Sequence, residues 1–346
     1  MKTEFKAVPW CGLDVAKNSF ESSLYLPLHP GEQPRSINDL PKKTFPRTVN
    51  GVKLFHDWSF QLRDKFGLPG GDLRIVMEAT GRYSKELAQW LIEEMPFSQP
   101  AIEDPCTIKS YIKSLKIHNK TDKIDAGAIA RYGYERMPKP TVNLPKDYSL
   151  LRELTRLRSA TKQQLVAANG RLAELTNDFP EIIKIQQCVV ESLKDAVNKL
   201  ELKIKSCISE SDELRKSTKI AQTIPGVGLI TAATVLGECG PLRYFKSREL
   251  GSYSGLAPVL KHSGTSIHSS RISRHGPAGL RQCLYMAANA AMEYNPKMRA
   301  LHSRIIARGK KPMQAHCAVM RKLLILIRAV VVSGEQFQSN YTPSHV

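Results

Sequence analysis

The sequence predicts an α/β domain followed by an all-α remainder, with a helical hairpin between them. Short apolar runs rich in strand-forming residues alternate with helical patterns until MPKPTVNLP, whose three prolines are typical of a linker. From Leu151 onward, apolar residues recur every three or four positions. After a second such run, helix-length patterns are punctuated by glycine and proline. We therefore expect domains at residues 1–140, 141–215 and 216–346.

Two strand patterns define the N-terminal domain. VPWCGLDVA, residues 8–16, is followed after a turn-like break by SSLYLPL, which predicts an antiparallel hairpin with Asp14 inside its first strand. LRIVMEAT, residues 73–80, predicts a second buried strand that ends near Glu78. It leads into SKELAQWLIEEM, whose apolar spacing predicts a helix.

The middle segment predicts two helices that form an antiparallel or an intermolecular coiled coil. Pro180 separates two runs of apolar residues with heptad-like spacing. The positions that carry this spacing are Leu151, Leu154, Leu165, Ala168, Leu172, Leu175, Val190, Leu193, Val197, Leu200, Ile204 and Cys207. Segments of this kind commonly join protomers.

The charge balance predicts a polyanionic partner. The 346 residues include 51 Lys and Arg against 32 Asp and Glu, a formal charge of +19. The N-terminus lacks the apolar core of a signal peptide, and no apolar run reaches the roughly 18 residues of a membrane span. The scattered cysteines form no C-x-x-C pair. We expect a cytoplasmic protein with reduced thiols and no membrane partner.

Four acidic residues are candidate metal ligands. Asp14 and Glu78 belong to predicted strands, while Asp122 and Asp125 lie three positions apart at the start of a predicted helix, on one face. If these carboxylates converge, they repel one another unless Mg²⁺ or Mn²⁺ compensates them. Two such ions are the standard device for displacement at phosphorus. Taken one by one, the same acids are equally explained as helix caps or surface charges.

Two groups of basic residues are candidate nucleic-acid contacts. Lys109, Lys113, Lys116, Lys120 and Lys123 align on one face if their segment is a continuous helix, and they lead to Asp122. Residues 241–281 contain a single acid, Glu249. The candidates within that block are Lys261, Arg271, Arg274 and Arg281. For both groups the ordinary alternative is a solvated basic face.

Several stretches resemble a known family. GLDVAK, MEATGRY and NKTDKIDA resemble the three motifs of the RuvC-like domain in the DEDD transposases of insertion sequences. SYSGLAPVLKHSGTSIHSSRISRHGPAGLR resembles the serine-bearing C-terminal domain of the same family, with Ser263 at the Ser-Gly position. The family is also similar to Piv-type DNA invertases, and the resemblance extends over nearly the whole chain.

The resemblance implies a ribonuclease-H-like fold and a helical C-terminal transposase domain. It implies that Asp14, Glu78, Asp122 and Asp125 are catalytic metal ligands, and that Ser263 is a nucleophile that holds one DNA end as a phosphoserine ester. It further implies donor and target DNA as substrates, a structured bridge RNA as guide, and homodimers that pair into tetramers.

Three alternatives remain open at this point. A metal-dependent junction nuclease that uses water needs only the carboxylates, and Ser263 is then structural. A DNA invertase shares the strand exchange but differs in how its sites are arranged. A non-catalytic protein that holds DNA ends would not need all four acids, which argues against it.

Overall fold

The structure, a computed structural model, describes residues 8–26, 36–66, 73–115, 122–141, 145–176, 178–263 and 267–338. The chain divides into two compact units, Met1–Asn143 and Leu144–Val346. Among the described residues, no helix combines the length and the apolar character that crossing a membrane requires.

The first unit is an α/β structure built on one sheet. Its elements are β1 (Trp10–Val15), β2 (Ser19–Tyr25), β3 (Lys42–Pro46), α1 (Val49–Lys65), β4 (Arg74–Glu78), α2 (Arg82–Glu94), β5 (Gln99–Glu103), α3 (Pro105–Ser114) and α4 (Asp122–Arg136). The strand order within the described ranges is β3-β2-β1-β4-β5. Strands β1 to β3 are antiparallel neighbours, and β4 and β5 run parallel to β1. The predicted opening hairpin and the strand-turn-helix are confirmed.

The two faces of β1 pack against different helices. Because alternate residues of a strand face opposite sides, Cys11 and Leu13 enter a core shared with α1 and α2. Trp10 belongs to a second apolar cluster that contains side chains of α3 and α4. Gly12 and Asp14 share the face of Trp10, so Asp14 points toward the α3 and α4 side of the sheet.

Helix α4 lies directly on β1 because Gly12 has no side chain. A Cβ at Gly12 would lie 2.1 Å from the backbone nitrogen of Ala130 and 2.3 Å from the carbonyl oxygen of Ala126. A Cβ at Gly133 would lie 2.5 Å from the Trp10 ring. Helix α4 therefore runs antiparallel to β1, and its first turn faces the end of the strand that carries Asp14.

The second unit is mostly helical. Its elements are α5 (Lys146–Glu174), α6 (Pro180–Glu210), α7 (Asp212–Ala221), α8 (Leu229–Cys239), α9 (Ser247–Tyr253), β6 (Pro258–Ser263), β7 (Ile267–Ile272), α10 (Ala278–Tyr294), α11 (Pro296–Ala307) and α12 (Pro312–Ser333). One large core joins α5 and α6 to the C-terminal helices α7, α8, α10 and α12.

Helices α5 and α6 form the predicted antiparallel pair. Arg158 near the middle of α5 forms an ion pair with Glu201 of α6 at 2.6 Å. Farther along α5, the carbonyl of Ala168 accepts a hydrogen bond from Gln186 at 2.8 Å. Since the partner's number falls as the α5 number rises, the two helices are antiparallel within one chain. The prediction of two helices is confirmed.

The prediction that the chain is all-α after the helical hairpin is wrong. Strands β6 and β7 pair as an antiparallel hairpin from Pro258↔Ile272 to Ser263↔Ile267. The segment PVLKHSGTSIHSSRI carries strand-forming Val and Ile on both sides of Ser-Gly-Thr. The expectation differs from the structure because the glycines and prolines around this segment are equally typical of helix ends.

Substituting Gly12 by alanine tests the contact between β1 and α4. The new methyl group would collide with backbone atoms of α4, which cannot rotate away as a side chain can. We expect Gly12→Ala to destabilise the first unit by about 3 kcal/mol, at the upper end of typical overpacking costs. Thermal unfolding measures it.

Gly170→Ala is the control, because a Cβ at Gly170 of α5 meets no atom within 4 Å. That exchange should raise stability by up to about 1 kcal/mol, since alanine favours a helix interior. An unchanged midpoint in Gly12→Ala would contradict the close packing of α4 on the strand.

Candidate active site

Asp14 and Glu78 are neighbours on one face of the sheet. The parallel register pairs Gly12 with Val76 and Leu13 with Met77. Continuing it by one step places Asp14 beside Glu78, on strands about 4.8 Å apart. Both residues are partly exposed. The structure thus brings together the two strand acids that the sequence proposed as ligands.

The acids of α4 belong to the end of the helix that faces Asp14. Asp122 is the first residue of α4, and Asp125 lies one turn later and is partly buried. The antiparallel packing of α4 on β1 brings this first turn toward the strand end that carries Asp14. The backbone position of Asp122 is part of the structure, but its side chain lies outside what the structure describes.

Two further carboxylates extend the row, and sequence reasoning missed both. Glu21 of β2 is the register partner of Asp14, and Glu103 of β5 is the register partner of Glu78. Because directly paired residues point to the same face, the row across four strands is Glu21, Asp14, Glu78 and Glu103. Two signals in the sequence point to these residues. Glu103 is the last residue of its strand, as Glu78 is, and Glu21 is as far after the β1–β2 turn as its partner Asp14 is before it.

Uncharged hydroxyl groups partly compensate the acids at the two ends of the row, Glu21 and Glu103. Thr44 donates a hydrogen bond to Glu21 Oε1 at 2.6 Å, while Glu21 Oε2 is buried and has no hydrogen-bond partner. The Tyr132 hydroxyl lies 3.3 Å from Glu103 Oε2 and donates to it. Burial raises the pKa of Glu103, and the Tyr132 hydrogen bond opposes that shift only in part. The same carboxylate and burial raise the pKa of Tyr132 to about 12.

A lysine compensates Glu78. Lys109 Nζ of α3 lies 3.6 Å from Glu78 Oε1, and Lys113 is four positions later on the same helix. Lys109 and Lys123 do not share one continuous helix, because α3 ends at Ser114 and Lys123 belongs to α4. The condition under which the five lysines would align on one face is therefore not met. Lys116 and Lys120 lie outside the described residues.

The oxygen donors of this row suit a hard divalent cation. Carboxylate oxygens are the ligands that Mg²⁺ and Mn²⁺ prefer, and a buried, unpartnered oxygen such as Glu21 Oε2 is a position that a cation or a water on it would satisfy. Among the described side chains, no three acidic, histidine or cysteine residues are close enough together to hold one ion. The Asp122 side chain lies outside the described part of the chain. The chemistry of the donors therefore fits, with Asp122 as the ligand that would complete the group.

Ser263 lies at the tip of the β6–β7 hairpin in the second unit. It is the last residue of β6 and pairs with Ile267, and Lys261 pairs with Ser269 two steps earlier. The backbone of both residues is part of the structure, whereas the side chains of residues 260–270 lie outside it. His262, next to Ser263, pairs with His268.

The three candidate arginines in and after β7 have different surroundings. Arg271 and Arg274 are exposed, and Arg274 adopts the left-handed backbone conformation with φ 59°. Arg281 is partly buried, and its Nη1 donates to the carbonyl of Gly276 at 2.9 Å and to that of Ser254 at 3.3 Å. Burial and the nearby Arg274 lower the pKa of Arg281. Arg281 thus holds the loop that carries Arg274, in addition to any contact with nucleic acid.

Comparisons with known proteins match both units. Residues 11–179 match a family model described as a transposase of DEDD type, and residues 218–303 match one described as "Transposase IS116/IS110/IS902 family". The pilin gene-inverting proteins of Moraxella bovis and Moraxella lacunata are each 30% identical over 335 residues, which is 95% of this chain and 97% of the relative. The transposase of insertion sequence IS1328 from Yersinia enterocolitica is 23% identical, over 69% of this chain and 78% of that protein.

Divalent cations should stabilise the wild-type protein and should not stabilise Asp14→Asn. Saturating Mg²⁺ or Mn²⁺ should stabilise wild type by about 2.7 kcal/mol at a hundredfold excess over Kd. Calorimetry with and without the ion measures the response of both proteins.

Asp64→Asn, on the exposed end of α1, is the matched control and should keep the full response to the ion. An equal response of Asp14→Asn and wild type would remove Asp14 from the ligand set.

The raised pKa of Glu103 predicts that replacing this residue raises the unfolding midpoint at high pH only. Its folded pKa is raised, so the stability that its neutral form contributes is lost as pH rises through that pKa. In metal-free buffer, Glu103→Gln should therefore have a higher unfolding midpoint than wild type at pH 8, and the difference should vanish as pH falls below the pKa of an unperturbed glutamate. Glu93→Gln, exposed on α2, should change little at either pH. A gain for Glu103→Gln that is the same at all pH values would contradict the burial of this carboxylate.

Proposed function

The chain belongs to the IS116/IS110/IS902 family of insertion-sequence transposases, and from this membership we propose a site-specific DNA recombinase that cuts and rejoins strands through Ser263. The family establishes a DNA-rearranging enzyme with DNA as its substrate. The row of acids on the sheet is the single observation that carries the proposed chemistry, because such a concentration of negative charge has a use where cations meet phosphate.

Four acids take the role of metal ligands in this proposal. Asp14 and Glu78 from the strands, together with Asp122 and Asp125 from the first turn of α4, hold Mg²⁺ or Mn²⁺. When bound, these ions supply positive charge to the non-bridging oxygens of the scissile phosphate and lower the pKa of an attacking hydroxyl. Glu21 and Glu103, at the two ends of the row, orient these ligands and add negative charge to the site.

Ser263 is the proposed nucleophile. Its Oγ attacks phosphorus and gives up its proton to a carboxylate, a phosphoserine ester forms, and the bond from phosphorus to the leaving DNA oxygen breaks. A hydroxyl of another DNA end then attacks the same phosphorus and releases the serine. One ester bond forms for each that breaks, so the energy needed for rejoining is conserved. A position at the tip of a hairpin supports this role, since a tip can enter the site of a neighbouring domain.

The first unit is proposed to have the ribonuclease-H-like fold of the RuvC group. Three antiparallel strands followed by two strands parallel to β1, with acids at β1, at the end of β4 and at the start of the last helix, support this assignment. Residues 141–215 are proposed as the linker and coiled-coil segment, and residues 216–346 as the serine-bearing domain.

The partners proposed beyond DNA are a structured bridge RNA and further copies of the chain. A charge of +19 suits two polyanions, and base pairing by the RNA would choose the donor and target sequences while the protein contacts backbones. Homodimers that pair into a tetramer would supply two sets of carboxylates and serines for two DNAs. The proposed contacts with nucleic acid are Lys109, Lys113, Lys116, Lys120, Lys261, Arg271, Arg274 and Arg281.

A DNA invertase is the second candidate function. The two pilin gene-inverting proteins align with 95% of this chain, a larger share than the IS1328 transposase covers. Inversion and transposition use the same strand exchange. The two functions are distinguished by whether the sites exchanged lie on one DNA molecule in opposite orientation.

Substitution of the serine tests the proposed chemistry. We expect Ser263→Ala to abolish Mg²⁺-dependent recombination and to remove the covalent protein–DNA band on a denaturing gel. The protein is co-expressed with its flanking non-coding DNA, so that any guide RNA is present. Ser269→Ala, on the other strand of the same hairpin, is the matched control. It should retain both recombination and the covalent protein–DNA band.

Each other result favours a different function. DNA cleavage without a covalent band in Ser263→Ala would indicate a nuclease that uses water. Full recombination by Ser263→Ala would exclude the serine mechanism, and binding without cleavage by wild type would indicate a protein that only holds DNA ends.

A further inference from the structure

A basic pocket of about 740 Å³ lies in the second unit, between the open end of the β6–β7 hairpin and helices α11 and α12. Its floor is apolar and includes Leu256, Ile272, Leu301 and Ile305. Five cationic side chains surround that floor, namely Arg271, Arg274, Lys310, Arg321 and Lys322. We call this site the basic pocket. No acidic residue is among the described residues that line it.

The cations of the basic pocket are uncompensated. Elsewhere in the second unit arginines meet carboxylates, as Arg156 does with Glu238 and Arg158 with Glu201. Within the described part of the chain, none of the five pocket cations has an ion pair. Because like charges this close repel one another, an anion inside the pocket would relieve a cost that the fold otherwise carries.

Arg321 points to a missing partner most directly. Its Nε is buried and has no hydrogen-bond acceptor. A Cβ at Gly251 would lie 2.9 Å from that Nε, so the glycine makes room for the guanidinium. A buried donor without an acceptor costs about 1–3 kcal/mol. A phosphate oxygen is an acceptor of the kind that a guanidinium binds best.

The combination of apolar floor and cationic rim selects a nucleotide. A duplex would lay its phosphates on the cations but would leave the apolar recess empty, since its bases are stacked inside. An unpaired base can enter the recess while the adjoining phosphates remain on the rim. The volume lies within the range of pockets that bind small organic molecules.

The hairpin relates the basic pocket to the proposed nucleophile. Pro258 and Ile272 at the open end line the pocket, and Ser263 is at the tip, five residues along the strand. At about 3.3 Å per residue this separation is about 17 Å. A DNA strand advances about 3.4 Å per nucleotide in a duplex, so the pocket is about five nucleotides from the phosphate at Ser263.

We propose that the basic pocket holds one unpaired nucleotide of the DNA strand that Ser263 attacks, with the base on the apolar floor and the flanking phosphates on the cationic rim. The proposed phosphate contacts are Arg271, Arg274, Lys310 and Arg321. The inference rests on the proposed function, because that function supplies the strand. The pocket fixes the register of the strand, so that one particular phosphate reaches the serine.

The test replaces single bases of the flanking-end DNA with 2-aminopurine, whose emission rises when it leaves the base stack. Each DNA is added to the co-expressed protein–RNA complex of Ser263→Ala, which cannot cut it. We expect the 2-aminopurine emission to rise several-fold at one position of the DNA, about five nucleotides from the cleavage site. Arg321→Gln should abolish the rise and weaken DNA binding about tenfold, which corresponds to one lost charge-assisted contact.

Lys310→Gln and Arg308→Gln form the matched pair. Both residues are exposed cations in the α11–α12 connection, but only Lys310 lines the basic pocket. Lys310→Gln should lower the slope of log K against log salt by about 0.9, the value for one phosphate contact, and should diminish the 2-aminopurine emission. Arg308→Gln should retain the emission. Equal effects of the two variants would overturn the pocket as the binding site.

Cys317 supplies a second measurement that does not depend on a mutant's folding. It lines the basic pocket, and a DNA base that carries a thiol tether should form a disulfide with it at the same position. Cys317→Ser should lose this cross-link. Cross-linking only to tethers placed in the RNA would overturn the proposal in favour of the guide.

The two proposals fail separately. A covalent serine–DNA band in wild type without any bright 2-aminopurine position would overturn the basic pocket and leave the proposed function intact. A bright position and a cross-link at Cys317, without a covalent band in wild type, would support the pocket and remove the serine mechanism.

Discussion

Repulsion among carboxylates on one face of the sheet is the constraint on which the first unit depends. The backbone hydrogen bonds of β2, β1, β4 and β5 fix Glu21, Asp14, Glu78 and Glu103 in one row, so none of these side chains can leave without moving a strand. Lys109, the Tyr132 hydroxyl and the Thr44 hydroxyl each compensate one of these acids in part. The first turn of helix α4, which carries Asp125, faces this end of β1, and the absence of a side chain at Gly12 allows the helix to lie so close.

Sequence patterns predicted the strands that carry this site but did not identify all of its acidic residues. Asp14 and Glu78 were found because each lies in a strongly apolar strand, where an acid is out of place. Glu21 and Glu103 were missed because alternation along a strand gives a residue its face, whereas its neighbours depend on register between strands. The lysine stripe failed for a related reason: the spacing of its members is helical, but no local pattern marked the end of α3 at Ser114.

In the second unit, three features depend on contacts between distant parts of the sequence: the direction of the long helices, the β6–β7 hairpin and the basic pocket. The heptad-like spacing predicted both long helices. Contacts such as the ion pair of Arg158 with Glu201 show that the two helices are antiparallel within one chain. The β6–β7 hairpin was not predicted because its strands are polar at their centre and are flanked by glycines and prolines, so that their pairing in register is what distinguishes them from loops. The basic pocket was equally invisible, since its cations come from three separate segments that are adjacent only in the folded chain.

The charges of the two units are segregated, and that segregation ties stability to the substrate. The first unit keeps acids together on one sheet face, and the second keeps five arginines and lysines together around one pocket, each at a cost in self-repulsion. If these acids paired with these cations, the repulsion within each group would be relieved, but neither group would then be free to bind a ligand. In the proposed function divalent cations would relieve the repulsion among the acids, and DNA phosphates in the proposed pocket would relieve the repulsion among the cations. The chain would then reach its full stability only with both bound, because a ligand that binds only the folded state stabilises it in proportion to the logarithm of the ligand concentration.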